Sequence, residues 1–281
     1  MNNSKEMKKN ILMFVFCGLL LAGCREKVPP PEMDRLVEIN FSTKLLLSSL
    51  STQDENKITK IILYGFDKDE KFVDTVLIIP NSSSTDISRT ILIPKEITSF
   101  HAIANPSAGI GEWVLSSLTV SEIERQICDF STTPVSPFLM SGKGKITGNK
   151  VDIVLIRVVA RIDFIGVEGY QIESVKVTKT RDKGFVFRHE PVTIPSSAQW
   201  IGYTIDFPEP VVYIAESKSD PSSAEFIING KYEGETESRA IHLDTDIVRN
   251  TYYRVEISPK TSITITIPDW EDGGDIDPIT F

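Results

Sequence analysis

Val151-Asp-Ile-Val-Leu-Ile-Arg-Val-Val-Ala-Arg-Ile-Asp-Phe164 reads as extended chain from end to end. Its even positions from 154 to 164 are all apolar, whereas the odd positions begin apolar and then carry Arg157, Arg161 and Asp163. Successive side chains of a strand point to opposite faces, so the pattern predicts one face in a core and a second that turns polar halfway along. Stretches of the same kind lie on both sides of it. Residues 58–66 and 72–79 flank the polar Asp67-Lys-Asp-Glu-Lys71, the arrangement of a hairpin. Val37, Ile39, Phe41, Leu45 and Leu47 alternate with polar residues nearer the N-terminus. Further strands are predicted at 89–94, 99–105 and 137–146, and then at 171–179, 185–188, 200–207, 211–216, 224–230, 251–258 and 262–267. Pro80 and Asn81-Ser-Ser-Ser-Thr85 punctuate the first group. One helix is predicted: Ser121 and Glu124 have capping-box spacing, Ile123, Ile127 and Phe130 would share a face, and Cys128 would lie within it. Many short strands with turns between them and one short helix make an all-β chain of sandwiches or barrels.

The first residues carry a different message. Lys5, Lys8 and Lys9 precede an apolar run from Ile11 to Gly23, too short for the ~20 residues that cross a bilayer. The run ends Leu21-Ala-Gly-Cys24, which resembles the lipobox of bacterial lipoproteins. Residues 1–23 would then be a signal peptide, with Cys24 the acylated first residue of the mature chain. Pro29, Pro30 and Pro31 make residues 24–34 a Pro-rich tether, semi-rigid and extended. The remainder suits two domains, 35–148 and 149–281. Loss of three Lys and one Glu with the signal moves the net charge from −9 to −11. That balance, with no basic stripe, argues against nucleic acid as a partner. Of the three cysteines, Cys17 leaves with the signal and Cys24 is modified. Cys128 alone stays free, so no intrachain disulfide is expected.

No catalytic constellation is present. His101, His189 and His242 lie far apart and form no metal-ligand spacing, and no phosphate loop or nucleophile motif occurs. Neither a cofactor nor a metal is expected. The acidic segment Asp269–Asp277 has oxygen donors for a hard cation but not the EF-hand spacing. Trp113, Trp200 and Trp270 are candidates for an aromatic platform, should the chain be a monomeric surface lipoprotein that binds a glycan or host ligand.

Four stretches resemble the fimbrillins, or type V pilins, of the Bacteroidales: Ile61–Asp67, Phe100–Asn105, Phe138–Gly142 with Leu155–Arg157 and Val159–Ile162, and Arg249–Ile257 followed by Trp270. The resemblance implies two tandem transthyretin-like β-sandwich domains. It implies export as a lipoprotein to the outer membrane surface, removal of an N-terminal strand by a trypsin-like protease, and filling of the vacated groove by a strand of another fimbrial subunit. The chain has alternating segments of the needed kind in Val37, Ile39, Phe41 and Leu45, and in Ile263, Ile265 and Ile267. Arg35 and Lys44 are the candidate processing residues. No Arg lies in 48–57, a departure that favours a subunit kept on its lipid anchor at the base of a fimbria, or one processed by a protease that is not Arg-specific. Asp74-Thr75-Val76 fits the short O-glycosylation motif of this bacterial group, with Thr75 the candidate acceptor.

Overall fold

A computed structural model describes residues 34–43, 55–80, 86–107, 110, 118–132, 134–205, 211–219, 224–259, 263–266 and 279–280. Cys24 with its signal and the tether up to residue 33, Lys44, Leu45, Trp113, Ile267, Trp270 and the acidic segment 269–277 lie outside the described residues.

The first sheet has seven strands: β1 (Arg35–Thr43), β2 (Ile61–Phe66), β3 (Phe72–Ile78), β4 (Asp86–Ile93), β5 (Ser99–Ala104), β7 (Met140–Lys145) and β8 (Lys150–Arg157). They run in the order β3-β2-β5-β7-β8-β1-β4. Val37, Ile39 and Phe41 of β1 and Ile87 and Ile93 of β4 share one buried cluster with Ile61, Leu63, Phe100 and Ala102 of β2 and β5. Strands so far apart in the sheet meet only if the sheet folds over on itself, which makes a sandwich of it. The fold-over runs through β7 and β8. A Cβ on Gly142 would lie 2.3 Å from the Val154 carbonyl oxygen, so only glycine admits so close an approach.

The second sandwich packs two separate sheets. One holds β12 (Trp200–Ile205), β10 (Gln171–Arg181), β14 (Ala224–Tyr232) and β15 (Glu235–Leu243) in that order. The other holds β13 (Val211–Ala215), β9 (Val159–Gly166), β16 (Tyr252–Ile257), β17 (Ile263–Thr266) and β18 (Ile279–Thr280). Phe164, Ile214, Val255 and Ile265 from one sheet meet Val177, Phe226, Ile228 and Leu243 from the other. A third cluster joins the sandwiches. Tyr64, Phe66 and Ile103 on the outer side of β2 and β5 are covered by the helix α1 (Val120–Glu124), by β6 (Ile127–Asp129), and by Val159 and Ala215. β6 pairs with β11 (Lys183–Phe185).

Three expectations are revised here. The stretch 151–164 is two strands, broken at Val158, and in β8 the odd positions face the core while Val154 is 44% exposed. The chain passes from one sandwich to the other at that break, and the buried face changes with it. The division expected between 148 and 149 falls in the turn joining β7 to β8, two neighbours of one sheet. The helix is shorter than its apolar spacing suggested: Thr119 caps it, in a capping box with Glu122. Ile127, Cys128 and Asp129 form a strand instead, where pairing with β11 outweighs helical periodicity. Cys128 is buried there, and burial pushes its thiol pKa up to about 12. β15 was not anticipated, because only Ile241 and Leu243 of its nine residues are buried. Its turn, Glu233-Gly234 with both φ values near +52° and +86°, joins it to β14 as a tight hairpin.

Candidate functional site

β1 is the first strand of the described chain, and it sits inside a sheet rather than at its edge. It pairs antiparallel with β4, from Arg35↔Ile93 to Ser42↔Asp86. On its other side it pairs parallel with β8, from Glu38↔Lys150 to Thr43↔Leu155. β4 has no other partner strand among the described residues, so β1 alone ties it to the sheet. Removal of β1 would leave two open edges with an apolar floor between them, made by Ile61, Leu63, Phe100 and Ala102 of the facing strands and flanked by Val151, Ile153 and Leu155 of β8 and Ile87 of β4.

Every second residue of β1 fills that floor. Val37 and Ile39 are fully buried, Phe41 is 2% exposed, and Thr43 is buried behind them. Burial of the three apolar side chains is worth roughly 5–9 kcal/mol gross. The alternate residues form an outer row. The Lys150 Nζ lies 3.2 Å from Glu38 Oε2, and Asn40 Nδ2 donates to Asp152 Oδ1 at 3.0 Å. Leu36 lies opposite Leu92, and both are about 60% exposed. At the start of the strand, Arg35 Nη2 donates to the Ile97 carbonyl at 2.6 Å. The bond after Arg35 therefore lies within a strand paired on its β4 side, and a protease needs that end unpaired to reach it. Arg89 points inward from β4 opposite Ile39, a charge that discourages further strands from adding to this edge.

Downstream of β1 the chain is fastened again at Glu55 and Asn56. Glu55 Oε1 accepts hydrogen bonds from Arg161 Nη1 at 2.7 Å and from the Tyr213 hydroxyl at 2.6 Å. The Glu55 carbonyl accepts from Arg157 Nε at 3.1 Å, and Arg157 Nη2 donates to Asn56 Oδ1. Asp163 takes the other edge of Arg161 through two bonds of 2.7 and 2.9 Å. Burial pulls the Arg157 guanidinium down to about 10, whereas the carboxylates around Arg161 outweigh its burial and raise it. Arg157, Arg161 and Asp163 were visible in the sequence as charges inside an apolar strand. Their partner Glu55 lies in a polar stretch with nothing to distinguish it.

The other sequence candidates are placed as follows. Ile263 and Ile265 lie in β17, antiparallel to β16, with Ile265 buried and Ile263 half-buried. That segment occupies a place in its own sheet, with β18 beside it. Thr75 lies on the edge strand β3 opposite Tyr64, and its hydroxyl oxygen is shielded from solvent. The indole of Trp200 is stacked by the Arg181 guanidinium, 3.7 Å from the ring centre, with the Lys179 ammonium at 4.9 Å. No group of three or more His, Cys, Asp or Glu side chains suited to a metal ion occurs among the described residues.

No family model matches the chain, and no curated protein matches it by sequence. Solved structures do match its fold. A fimbrial assembly protein from Parabacteroides distasonis superposes with a TM-score of 0.58 at 16% identity, over 87% of this chain and 98% of its own. The chain shares the fold of Bacteroidales fimbrial proteins. The tip fimbrial protein Mfa3 from Porphyromonas gingivalis, with a C-terminal truncation, gives 0.59 at 14% identity over 83% of this chain and 97% of that one. The fimbrilin FimA of Porphyromonas gingivalis gives 0.59 at 13% identity, over 79% and 89%. In this fimbrial-protein fold, β1 and its seat belong to the first of the two sandwiches.

Proposed function

We propose that this chain is a surface fimbrial subunit that serves adhesion and assembles by donor-strand exchange, without catalysis. In this reading Cys24 carries the lipid that holds it to the outer membrane. β1 occupies the seat until a strand from another subunit replaces it. The observation that supports this most is the position of β1: the first strand of the described chain lies between β8 and β4, with alternate side chains buried. A replacement strand there gains hydrogen bonds on both sides and an apolar floor together. The fold shared with fimbrial proteins agrees with it. The segment 263–267 is the strand this subunit would donate onward. Its described part, β17, is next to last in its sheet, between β16 and the two-residue β18, so only β18 separates it from the sheet edge.

The test is assembly in cells that make the full chain or a chain lacking 262–281. The full chain is expected in detergent-resistant ladders, and the truncated chain in none that extend beyond it. Ladders that continue past the truncated subunit would overturn the donor role of this segment. Mass spectrometry of the mature N-terminus is expected to show an acylated Cys24. A free N-terminus at Leu36 or Leu45 would replace the lipid-anchored reading with a processed one.

A further inference from the structure

The aliphatic row of β8 that flanks β1 does not set the register of the strand beside it. Val151, Ile153 and Leu155 are all aliphatic, so a strand displaced by two residues still places apolar side chains against them. A displacement of one residue turns the apolar row outward and is excluded. The two-residue ambiguity must be resolved elsewhere. We infer that Lys150 and Asp152 on the outer row of β8 resolve it, and that they select a donor strand with an acidic residue opposite Lys150 and an amide or other hydrogen-bond donor opposite Asp152.

The inference rests on the strand-exchange reading above and adds to it the chemistry of the partner. In the present structure β1 meets both requirements, with Glu38 3.2 Å from Lys150 and Asn40 3.0 Å from Asp152. Displaced by two residues in one direction, Glu38 would face Asp152 and Asn40 would face Val154. Like charges directly opposite each other oppose pairing, so that register is disfavoured. Displaced the other way, Asn40 would face Lys150, and Glu38 would pass beyond the end of β8. On the β4 side, Glu38 and Asn40 meet Thr90 and Ser88, which carry no charge to compete. The fitting partner is therefore a strand that alternates apolar residues with an acid and then an amide, two positions apart. The segment Ile263–Ile267, seated with its three isoleucines in the apolar positions, would present Thr264 to Lys150 and Thr266 to Asp152. It lacks the acid. The preferred occupant of this seat is thus the strand of an unlike subunit.

The test uses the full chain with a protease site inserted after Thr52, cut so that β1 is held only by its contacts. A labelled peptide of residues 35–43 is offered, and its uptake is measured by fluorescence anisotropy beside Glu38→Lys and Asn40→Asp versions. Each altered peptide is expected to bind about three- to tenfold more weakly, the scale of exposed cross-strand charge pairs taken from attraction to repulsion. Lys150→Glu in the protein should restore the Glu38→Lys peptide and weaken the native one. Asp152→Lys should do the same for Asn40→Asp. Restored binding also shows that the variant proteins are folded. Equal uptake of all three peptides would overturn the inference and leave strand exchange standing. No uptake of any peptide, the native one included, would overturn the strand-exchange reading and the inference with it.

Discussion

Phe41 is the largest side chain that β1 places in the core, and at 2% exposure it has no room to relax. Phe41→Ala is expected to cost about 3–5 kcal/mol in urea unfolding, the usual range for a truncated core aromatic. Leu36→Ser on the opposite face of the strand should change stability by no more than about 0.5 kcal/mol. Glu55 decides a second residue-scale outcome. Glu55→Gln keeps the shape and removes the charge that Arg161 faces, so a loss of about 3 kcal/mol is expected, limited because Asp163 still neutralises the guanidinium. His101 gives the fold a pH dependence. Burial lowers its pKa below the ordinary 6.5, and this outweighs the hydrogen bond and charge of Glu124; Lys143 lowers it further, while Glu70 raises it. The folded pKa lies below the unfolded one, so between the two the unfolded chain binds the extra proton. Stability is therefore full above 6.5 and declines as pH falls through that window. The thermal midpoint should drop between pH 7 and pH 5, and the drop should be smaller in His101→Gln. An equal drop in both proteins would remove His101 from the explanation.

β4 is the element most exposed to the fate of β1, because it has no other partner strand among the described residues. In a chain cut between β1 and β2, release of the β1 fragment should strip hydrogen-exchange protection from β4 while β2 and β5 keep theirs. Protection of β4 that survives release would mean that the seat collapses around the loss. β7 and β8 respond to a different change. Gly142→Ala would press a Cβ against the Val154 carbonyl, with an expected cost of about 1–3 kcal/mol from forced separation. Much of this element list was legible in the sequence, since a strand buried on one side shows its alternation directly. The strands at 35–43 and 224–232 are of that kind. β15 escaped because most of its side chains lie on a solvated face, and the supposed helical face around Ile127 misled because a three-residue strand has no period of its own. The seat itself could be read only in half. Val37, Ile39 and Phe41 announced a buried row, but nothing local says that the neighbour on one side is a parallel strand more than a hundred residues later. Long-range parallel pairing leaves no mark on either segment alone. The same holds for Glu55, whose burial depends wholly on Arg157 and Arg161 arriving from the junction.

The whole molecule places its two sandwiches in series, linked at Val158 and locked by the Arg157 and Arg161 bonds to Glu55 and Asn56. This lock begins where the chain returns after β1. The strand that could leave the seat is thereby bounded: the chain from Glu55 onward stays fixed to the junction when β1 departs. Arg249, buried and bonded to Glu216 through 2.8 Å contacts and to the Phe185 and Val186 carbonyls, braces the same junction from the second sandwich. On the strand-exchange reading, these bonds would hold the junction between the two sandwiches while β1 is replaced. The most direct measurement places a photo-crosslinking amino acid at Ser88, which is exposed on β4 opposite Asn40, in surface-assembled protein. After irradiation, mass spectrometry identifies the captured peptide. Strand exchange requires a peptide from another subunit in the assembled material, and residues 35–43 of the same chain in the isolated monomer. Capture of its own 35–43 segment alone in both samples would contradict the account.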